Sequence, residues 1–512
     1  MENTNANAVM SGPQVIMIIG WILFIFFLGQ KPVHLDEANF LAMTKGEFWK
    51  PHSIEINWEG QTQSAFDVLS NPPGMAWYLW PVKNVGVFWM RWWVLPLTVM
   101  TVWAVWRCIQ SLGGSRLHLW MVLCSPLFAL SHNSLMPEIP LLFCIAFGWQ
   151  GILRNQYIVL SSLILGCAAL FRYSGITMIP LLMVWILLHR PFERWKMMLA
   201  VCLPSVFLCI HDLWVYGEWH FWHMIAFQQA QQSTFTLVHK GLAFSSMLFL
   251  GAGVVPLLDR SIKVIVLELG TILILVLSLT VVFSVPMNGL AWIAIPFGVY
   301  TILSMIRHSF RSRQYWMLCW LLGGIVFLLN LRFAATRYWL PFVLPYWCLS
   351  NPNRWFRFWI GIMGVISAHL VWDDAQLARS QHQLALEVTE VCTEVFGDTH
   401  GYFAGHWGWQ HAMESFGWES IEDDSKIPNN ICFSDSNISW PQEYSNVCMK
   451  DVKNFNKGYT PLLLPIRVHT IEGRANYHSY MISHEPPIPV VSPFGWGYDD
   501  WDQAVLRRSC LR

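Results

Sequence analysis

Apolar residues in this chain run in long blocks; they neither alternate nor recur on one face of a helix. Residues Val15–Gly29, Val85–Trp106, Leu117–Leu130 and Val264–Val285 carry few or no charges, over lengths near the ~20 residues that a helix needs to cross a bilayer. Hydropathy windows give about thirteen such spans. They fall near 15–30, 86–106, 117–131, 138–153, 157–171, 174–189, 197–215, 241–258, 264–284, 288–306, 315–330, 337–350 and 356–372. The fifth and sixth are divided only by the short stretch Arg172-Tyr173-Ser174-Gly175. Tryptophans gather near the ends of the runs, where an amphipathic ring suits the headgroup layer.

The loops between the runs sort by charge. One alternate set holds Arg107 and Arg116, then Arg154, then Arg190, Arg194 and Lys196, then Arg260 and Lys263, then Arg307, Arg311 and Arg313, then Arg354 and Arg357, opposed only by Glu193 and Asp259. The positive-inside rule places that set in the cytoplasm. The N-terminus is then inside and the segment from Asp373 to Arg512 outside, as an odd number of spans requires. Met1–Gln14 lacks a positive n-region, so the first run reads as a retained span and not as a cleaved signal.

Composition agrees with a membrane protein. Of 512 residues 54% are hydrophobic and only 12% charged, against about 25% charged in a typical soluble domain. Formal net charge is zero, and no basic block is present, so nucleic acid is not an expected partner. Past residue 372 the chain changes character, becoming polar and rich in Asp, Glu, His, Asn and Gly, at ~140 residues long enough for one small domain. Pro461–His469 and Ile488–Val491 read as strands and Ala375–Val395 as a helix. The expected fold class is mainly α: a polytopic membrane domain over residues 1–372, then an extracytoplasmic α/β domain over 373–512. Eight of the twelve cysteines fall in apolar runs, where the side chain packs as a small hydrophobe. The other four, Cys392, Cys432, Cys448 and Cys510, allow one or two disulfides in an oxidising compartment, with three pairings open.

The first outer loop, residues 31–85, is too long for a mere connection. His34-Leu35-Asp36-Glu37-Ala38-Asn39-Phe40-Leu41-Ala42 reads as a short helix with two carboxylates in its first turn, at the positive end of the dipole, closed by Gly46. Leu35, Leu41, Ala42, Phe48 and Trp49 give it an apolar side that suits the membrane surface. Ser70-Asn71-Pro72-Pro73 is a second start signal, with prolines at positions that tolerate a missing N–H. Two adjacent acids outside a first span are also compatible with a plain solvated helix start.

The combination of motifs resembles the GT-C superfamily of membrane glycosyltransferases, and within it the protein O-mannosyltransferases and the aminoarabinose transferases that modify lipid A. It comprises the Asp36-Glu37 pair after the first span, the Pro72-Pro73 segment leading to an aromatic stretch, Met136-Pro137-Glu138-Ile139-Pro140, Phe171-Arg172-Tyr173-Ser174-Gly175, and Arg332-Phe333-Ala334-Ala335-Thr336-Arg337-Tyr338-Trp339-Leu340-Pro341. The likeness covers about residues 10–372 and places every motif on the outer face. The chain departs from many relatives in having Asn71 before the prolines, where they have His, and from some in having Arg172, where they have Lys. Gly401-Tyr402-Phe403-Ala404-Gly405-His406-Trp407-Gly408-Trp409-Gln410 is similar to a stretch seen after the membrane domain in some bacterial members, without an assigned role.

The resemblance implies transfer of a sugar from a polyprenyl-phosphate donor to an extracytoplasmic acceptor, with inversion, by a protein embedded in the lipid bilayer. Such a donor already carries a phosphate leaving group, so the reaction needs a base for the acceptor hydroxyl and cations for the departing phosphate. Asp36 is the expected base. Glu37 and Glu138 are expected to support it, position the acceptor or hold a divalent ion. Arg172, Arg332 and Arg337 are expected at the phosphate, Tyr338 as a donor, and Asn71 near the substrate. Headgroup anchoring is the plain alternative for each arginine. Glu218, His220 and His223, in the loop Gly217–Lys240, lack the spacing of a closed metal site. A transporter is the competing class, but charges crowd the outer boundary and no broken-helix repeat is evident. A polyprenyl-lipid glycan polymerase or ligase would share the arginines without the early acid pair. A bacterial inner membrane is expected, since no endoplasmic-reticulum retention signal is present.

Overall fold

The computed structural model describes residues 10–58, 61–230, 236–253, 262–285, 287–331, 335–349, 354–397, 401–421, 430–436, 449–479, 481–484 and 487–509. Helix occupies the described part of every apolar run. Among the described residues four helices are long and apolar enough to cross a membrane: Val87–Ser111, Arg194–Val215, Val264–Val282 and Ala291–Arg311. Shorter apolar helices accompany them, including Gly12–Leu28, Glu138–Leu153, Ile158–Phe171 and Tyr315–Asn330. The run near 117–131 is two helices, Arg116–Leu123 and Pro126–Ser131. Pro126 has no N–H to continue the ladder, and Ser125 Oγ accepts from the Phe128 amide at 3.3 Å to start the second piece.

Apolar side chains cover the outside of the bundle as well as its centre. Val281 is 74% exposed and Leu199 72%. Rows of such residues are compatible with hydrocarbon surroundings and unfavourable in water. Inside, Trp149 packs on Trp316 and Trp320 with ring centroids 5.0 and 5.3 Å apart, filling that part of the bundle with large rings.

The sequence reading separates a last span at 356–372 from a helix at Ala375–Val395. The structure joins them in one helix of 43 residues, Arg354–Phe396. No glycine or proline lies between residues 365 and 396, so nothing interrupts the backbone ladder. At 1.5 Å per residue this helix is about 65 Å long, roughly twice a hydrocarbon core, and it carries the polypeptide from the bundle into the tail. There a mixed five-stranded sheet packs on it, in the order Glu419–Ser420, Gly401–Ala404, Cys432–Ser436, Asp502–Ser509, Met449–Lys457. The first two pairings are parallel and the last two antiparallel. Leu384, Val388, Phe403, Trp409, Met413 and Leu506 form the core beneath it. Cys392 of the long helix is disulfide-bonded to Cys432 of the central strand; Cys448 and Cys510 lie outside the described residues.

The segment between the first two apolar runs, residues 31–85, folds as a cap on the bundle. Helix Glu37–Lys45 forms where expected and ends at Gly46. One side of it packs on protein: Phe40, Leu41 and Met43 are buried in a cluster with Leu69, Met75, Leu79, Met90 and Leu135, while Trp49 stays 53% exposed. The cause is a β-hairpin, Glu55–Trp58 with Gln61–Ser64, and helix Gly74–Leu79, which bring apolar partners of their own.

Replacing Cys392 and Cys432 together by serine frees a 40-residue separation and is expected to lower stability by about 2–4 kcal/mol through loop entropy. The check is a thermal melt of purified protein with limited proteolysis of the tail; an unchanged midpoint and digestion pattern would contradict the cross-link's stabilising role.

Candidate active site

Two adjacent carboxylates part company at the start of the cap. Leu35 has φ +50°, a left-handed conformation that costs a non-glycine residue about 1–2 kcal/mol. After this bend Asp36 stands at the N-cap of helix Glu37–Lys45, with its side chain 28% exposed, while that of Glu37 is 0% exposed. Glu37 is saturated. Arg91 Nη1 and the Leu135 amide both donate to Oε1 at 3.0 Å, and Arg91 Nη2 and the His34 amide to Oε2 at 2.7 and 3.1 Å. Burial alone would push the Glu37 carboxyl up, but Arg91, Lys31 and these hydrogen bonds outweigh it and hold the group at about 2. With both oxygens occupied, Glu37 has no lone pair turned to an acceptor, and its geometry is that of a support for its neighbour.

Asp36 bonds to the guanidinium of Arg337 through Nη2. Arg337 lies in a 3-10 turn, Thr336–Trp339, that leads into helix Leu340–Leu349. Its Nε is 3.7 Å from Glu138 Oε1, and the same oxygen bonds to Arg172. Glu138 begins helix Glu138–Leu153 at its positive dipole end. Arg172 caps helix Ile158–Phe171 and lays its guanidinium 4.4 Å from the centroid of the Tyr338 ring, close enough for a cation–π contact. The row Asp36–Arg337–Glu138–Arg172, with Tyr338 beneath, draws on four separate segments of the chain.

Two glycines allow this convergence. A Cβ on Gly74 would lie 2.3 Å from the Leu170 carbonyl oxygen, and one on Gly175 2.3 Å from the Ala168 carbonyl carbon. The Pro72-Pro73 segment thus sits directly on the chain end that carries Arg172.

The structure brings together five of the eight residues singled out from the sequence: Asp36, Glu138, Arg172, Arg337 and Tyr338. Glu37 is adjacent but sealed. Arg332 lies outside the described residues. Asn71 meets His52 through its backbone, the carbonyl oxygen lying 2.9 Å from His52 Nε2. Nor do Glu218, His220 and His223 converge as ligands. His220 Nδ1 meets the Tyr173 hydroxyl, whereas His223 contacts Asp67 and Glu218 at 3.3 and 3.2 Å. A divalent ion shared by Glu37 and Glu138 also fits poorly, because each carboxylate is already neutralised by a guanidinium.

Sequence reading missed two contributors. Arg91 was readable as a lone charge inside the run 86–106, where an ionisable residue calls for a partner. Tyr477 comes from the tail and is buried, stacked on Phe494 with centroids 5.7 Å apart. Burial and the neighbouring Glu138 charge push its phenol well above the ordinary range, so it stays protonated. Its carbonyl accepts from the Thr336 amide at 3.2 Å, next to Arg337. On the outer side of helix Glu37–Lys45 is a cavity of about 470 Å³, lined by Asn39, Lys45, Asn57, His406, Trp407 and Gln410 among others. The His406–Gln410 motif thereby acquires a place.

No family model and no curated protein matches the chain. Among solved structures it is similar to ArnT from Cupriavidus metallidurans bound to undecaprenyl phosphate, at 14% identity over 84% of this chain and 94% of that chain, with a TM-score of 0.45. The apo form of the same protein gives 13% identity, 97% and 98% coverage, and a TM-score of 0.42. Arabinofuranosyltransferase AftD from Mycobacteria gives 12% identity over 99% of this chain but 40% of that one, with a TM-score of 0.41. Both proteins are GT-C glycosyltransferases.

Glu37→Gln leaves the Arg91 charge buried and uncompensated, and is expected to destabilise by about 3–5 kcal/mol near neutral pH. Because the folded pKa is depressed, the wild-type advantage is complete above the unfolded value of ~4.3. It fades as pH falls toward about 2 and the carboxyl protonates. Thermal midpoints of both proteins across that range check this; a gap that persists unchanged at the acid end would contradict it.

Proposed function

We propose that this protein is an inverting glycosyltransferase that moves a sugar from a polyprenyl-phosphate donor to a hydroxyl on an extracytoplasmic acceptor. The observation that carries the reading is a partly exposed carboxylate, Asp36, bonded to one of two guanidiniums that share Glu138. Base and phosphate clamp are the two groups this reaction needs, and they stand side by side.

As it stands the row is balanced, with two carboxylates against two guanidiniums. A donor phosphate adds negative charge and competes for Arg337 and Arg172, whose planar forks suit phosphate oxygens. As Arg337 turns to the phosphate, Asp36 loses its partner and its carboxylate oxygen is free to face the acceptor hydroxyl. The acceptor hydroxyl oxygen attacks the anomeric carbon from the side opposite the phosphate and its proton passes to Asp36. The carbon–oxygen bond to phosphate breaks, and the electron pair leaves with polyprenyl phosphate. Attack and departure on opposite faces invert the centre. Arg172, held on Tyr338, and Arg337 stabilise the charge that develops on the leaving group. Glu37 positions the loop; it does not touch substrate. The cavity beside helix Glu37–Lys45 provides hydrogen-bonding groups on the acceptor side.

In this reading residues 1–372 form the catalytic membrane part and 373–512 a soluble domain outside a bacterial inner membrane, with the N-terminus in the cytoplasm. The Cys392–Cys432 disulfide supports an oxidising compartment for the tail.

Purified protein incubated with radiolabelled polyprenyl-phosphate sugars is expected to release or transfer the sugar from one of them. Asp36→Asn is expected to lower the rate by about 100-fold or more, the usual worth of a general base, with expression and donor binding retained. Turnover near wild type in that variant removes Asp36 from the role.

A further inference from the structure

Away from the charged row, His34, Asp374 and His478 meet where the cap, the long helix and the tail come together. Their side chains are 2%, 4% and 11% exposed. His478 Nε2 is 2.9 Å and His34 Nε2 3.5 Å from the same oxygen, Asp374 Oδ1. One ligand atom from each residue lies within 4.8 Å of the other two. The rings are nearly perpendicular, at 82° with centroids 5.5 Å apart, so their nitrogens approach from different directions. Among the described residues neither ring nitrogen of His34 makes a hydrogen bond, nor does His478 Nδ1. Buried imidazole nitrogens are ordinarily satisfied, and one carboxylate oxygen is a poor match for two rings.

We propose that His34, Asp374 and His478 bind a zinc-class divalent cation. Bonds of about 2.0–2.2 Å to tetrahedral zinc put neighbouring ligand atoms roughly 3.3 Å apart, and the two separations to Asp374 Oδ1, 2.9 and 3.5 Å, bracket that value. Two imidazoles and a carboxylate are the borderline N/O donor set that zinc accepts, with a fourth position left to solvent. Lys31 bonds to Asp374 through the other oxygen, Oδ2. That leaves Oδ1 for the metal and gives the ligating carboxylate the outer hydrogen bond such ligands usually have. The inference does not depend on which reaction the protein performs.

Position gives the site its purpose. His34 precedes Asp36 by two residues and donates its backbone amide to Glu37 at 3.1 Å. His478 follows Tyr477, whose carbonyl holds the Thr336 amide beside Arg337. A cation at this point ties the segments bearing Asp36 and Arg337 to the middle of the long helix. It acts as a clamp and takes no part in chemistry at the charged row.

Untagged full-length protein, stripped with chelator and titrated with zinc chloride, is expected to take up about one tight zinc per chain and to melt at a higher temperature once loaded. His34→Gln and His478→Gln are each expected to weaken that uptake on the order of tenfold or more, whereas His189→Gln, a change of an exposed histidine, leaves it intact. Cobalt loading adds a visible tetrahedral absorption signature in wild type that the two site variants lack. Wild-type protein that neither retains zinc nor shifts its melt on loading overturns the proposal, even if the variants fail to fold. Equal uptake by all four proteins would assign the metal to other histidines and overturn it equally.

Discussion

A carboxylate carried out of water at the edge of a membrane must recover its hydration from protein donors, and Glu37 recovers it from four. Two come from Arg91 and one each from the amides of Leu135 and His34. Those donors belong to helix Val87–Ser111, to the loop before helix Glu138–Leu153, and to the cap itself. One buried charge therefore fixes the relative places of three segments that share no regular secondary structure. The bend at Leu35, unfavourable by itself, is held because the bonds on either side of it leave the chain no other course.

What that arrangement provides is an asymmetry between neighbours. Glu37 is locked and Asp36 is not, although they are adjacent and chemically alike. Asp36 keeps partial exposure and a single guanidinium partner, in a row whose charges cancel in pairs. Under the proposed function, a balanced row of this kind is stable without ligand and still able to rearrange, because an incoming phosphate would replace one acceptor of Arg337 by another of the same sign. Arg172 rests against the Tyr338 ring, whereas Arg337 is shared between Asp36 and Glu138.

Much of this was legible in the sequence, for identifiable reasons. Apolar runs become helices because an unbroken apolar stretch has few other ways to satisfy its backbone in lipid, and no knowledge of neighbours is needed. Asp36, Glu138, Arg172, Arg337 and Tyr338 could be named from motifs, but their meeting spans up to 301 positions and is a property of packing. Arg91 stood out as a lone charge in an apolar run, and its partner did not. Tyr477 and His478 gave no signal at all: they lie in an irregular stretch just after the two-residue strand Ala475–Asn476 of a polar tail, and only the unbroken helix Arg354–Phe396 brings that tail back over the bundle. The packing of Phe40, Leu41 and Met43 of helix Glu37–Lys45 on protein was not legible, because a single-segment periodicity cannot foresee such partners. The cysteine pattern allowed three pairings, and the choice of Cys392 with Cys432 depends on the sheet packing against the long helix.

The central claim is that Arg172 and Arg337 hold a lipid phosphate beside Asp36. The most direct measurement is the affinity of polyprenyl phosphate for the protein in nanodiscs, wild type beside Arg172→Gln and Arg337→Gln. Loss of one charge-assisted hydrogen-bonding partner should weaken binding by about 10- to 100-fold in each variant. Equal affinity in all three proteins, with the variants well folded, would mean that the phosphate does not meet these arginines, and the site would have to be sought elsewhere.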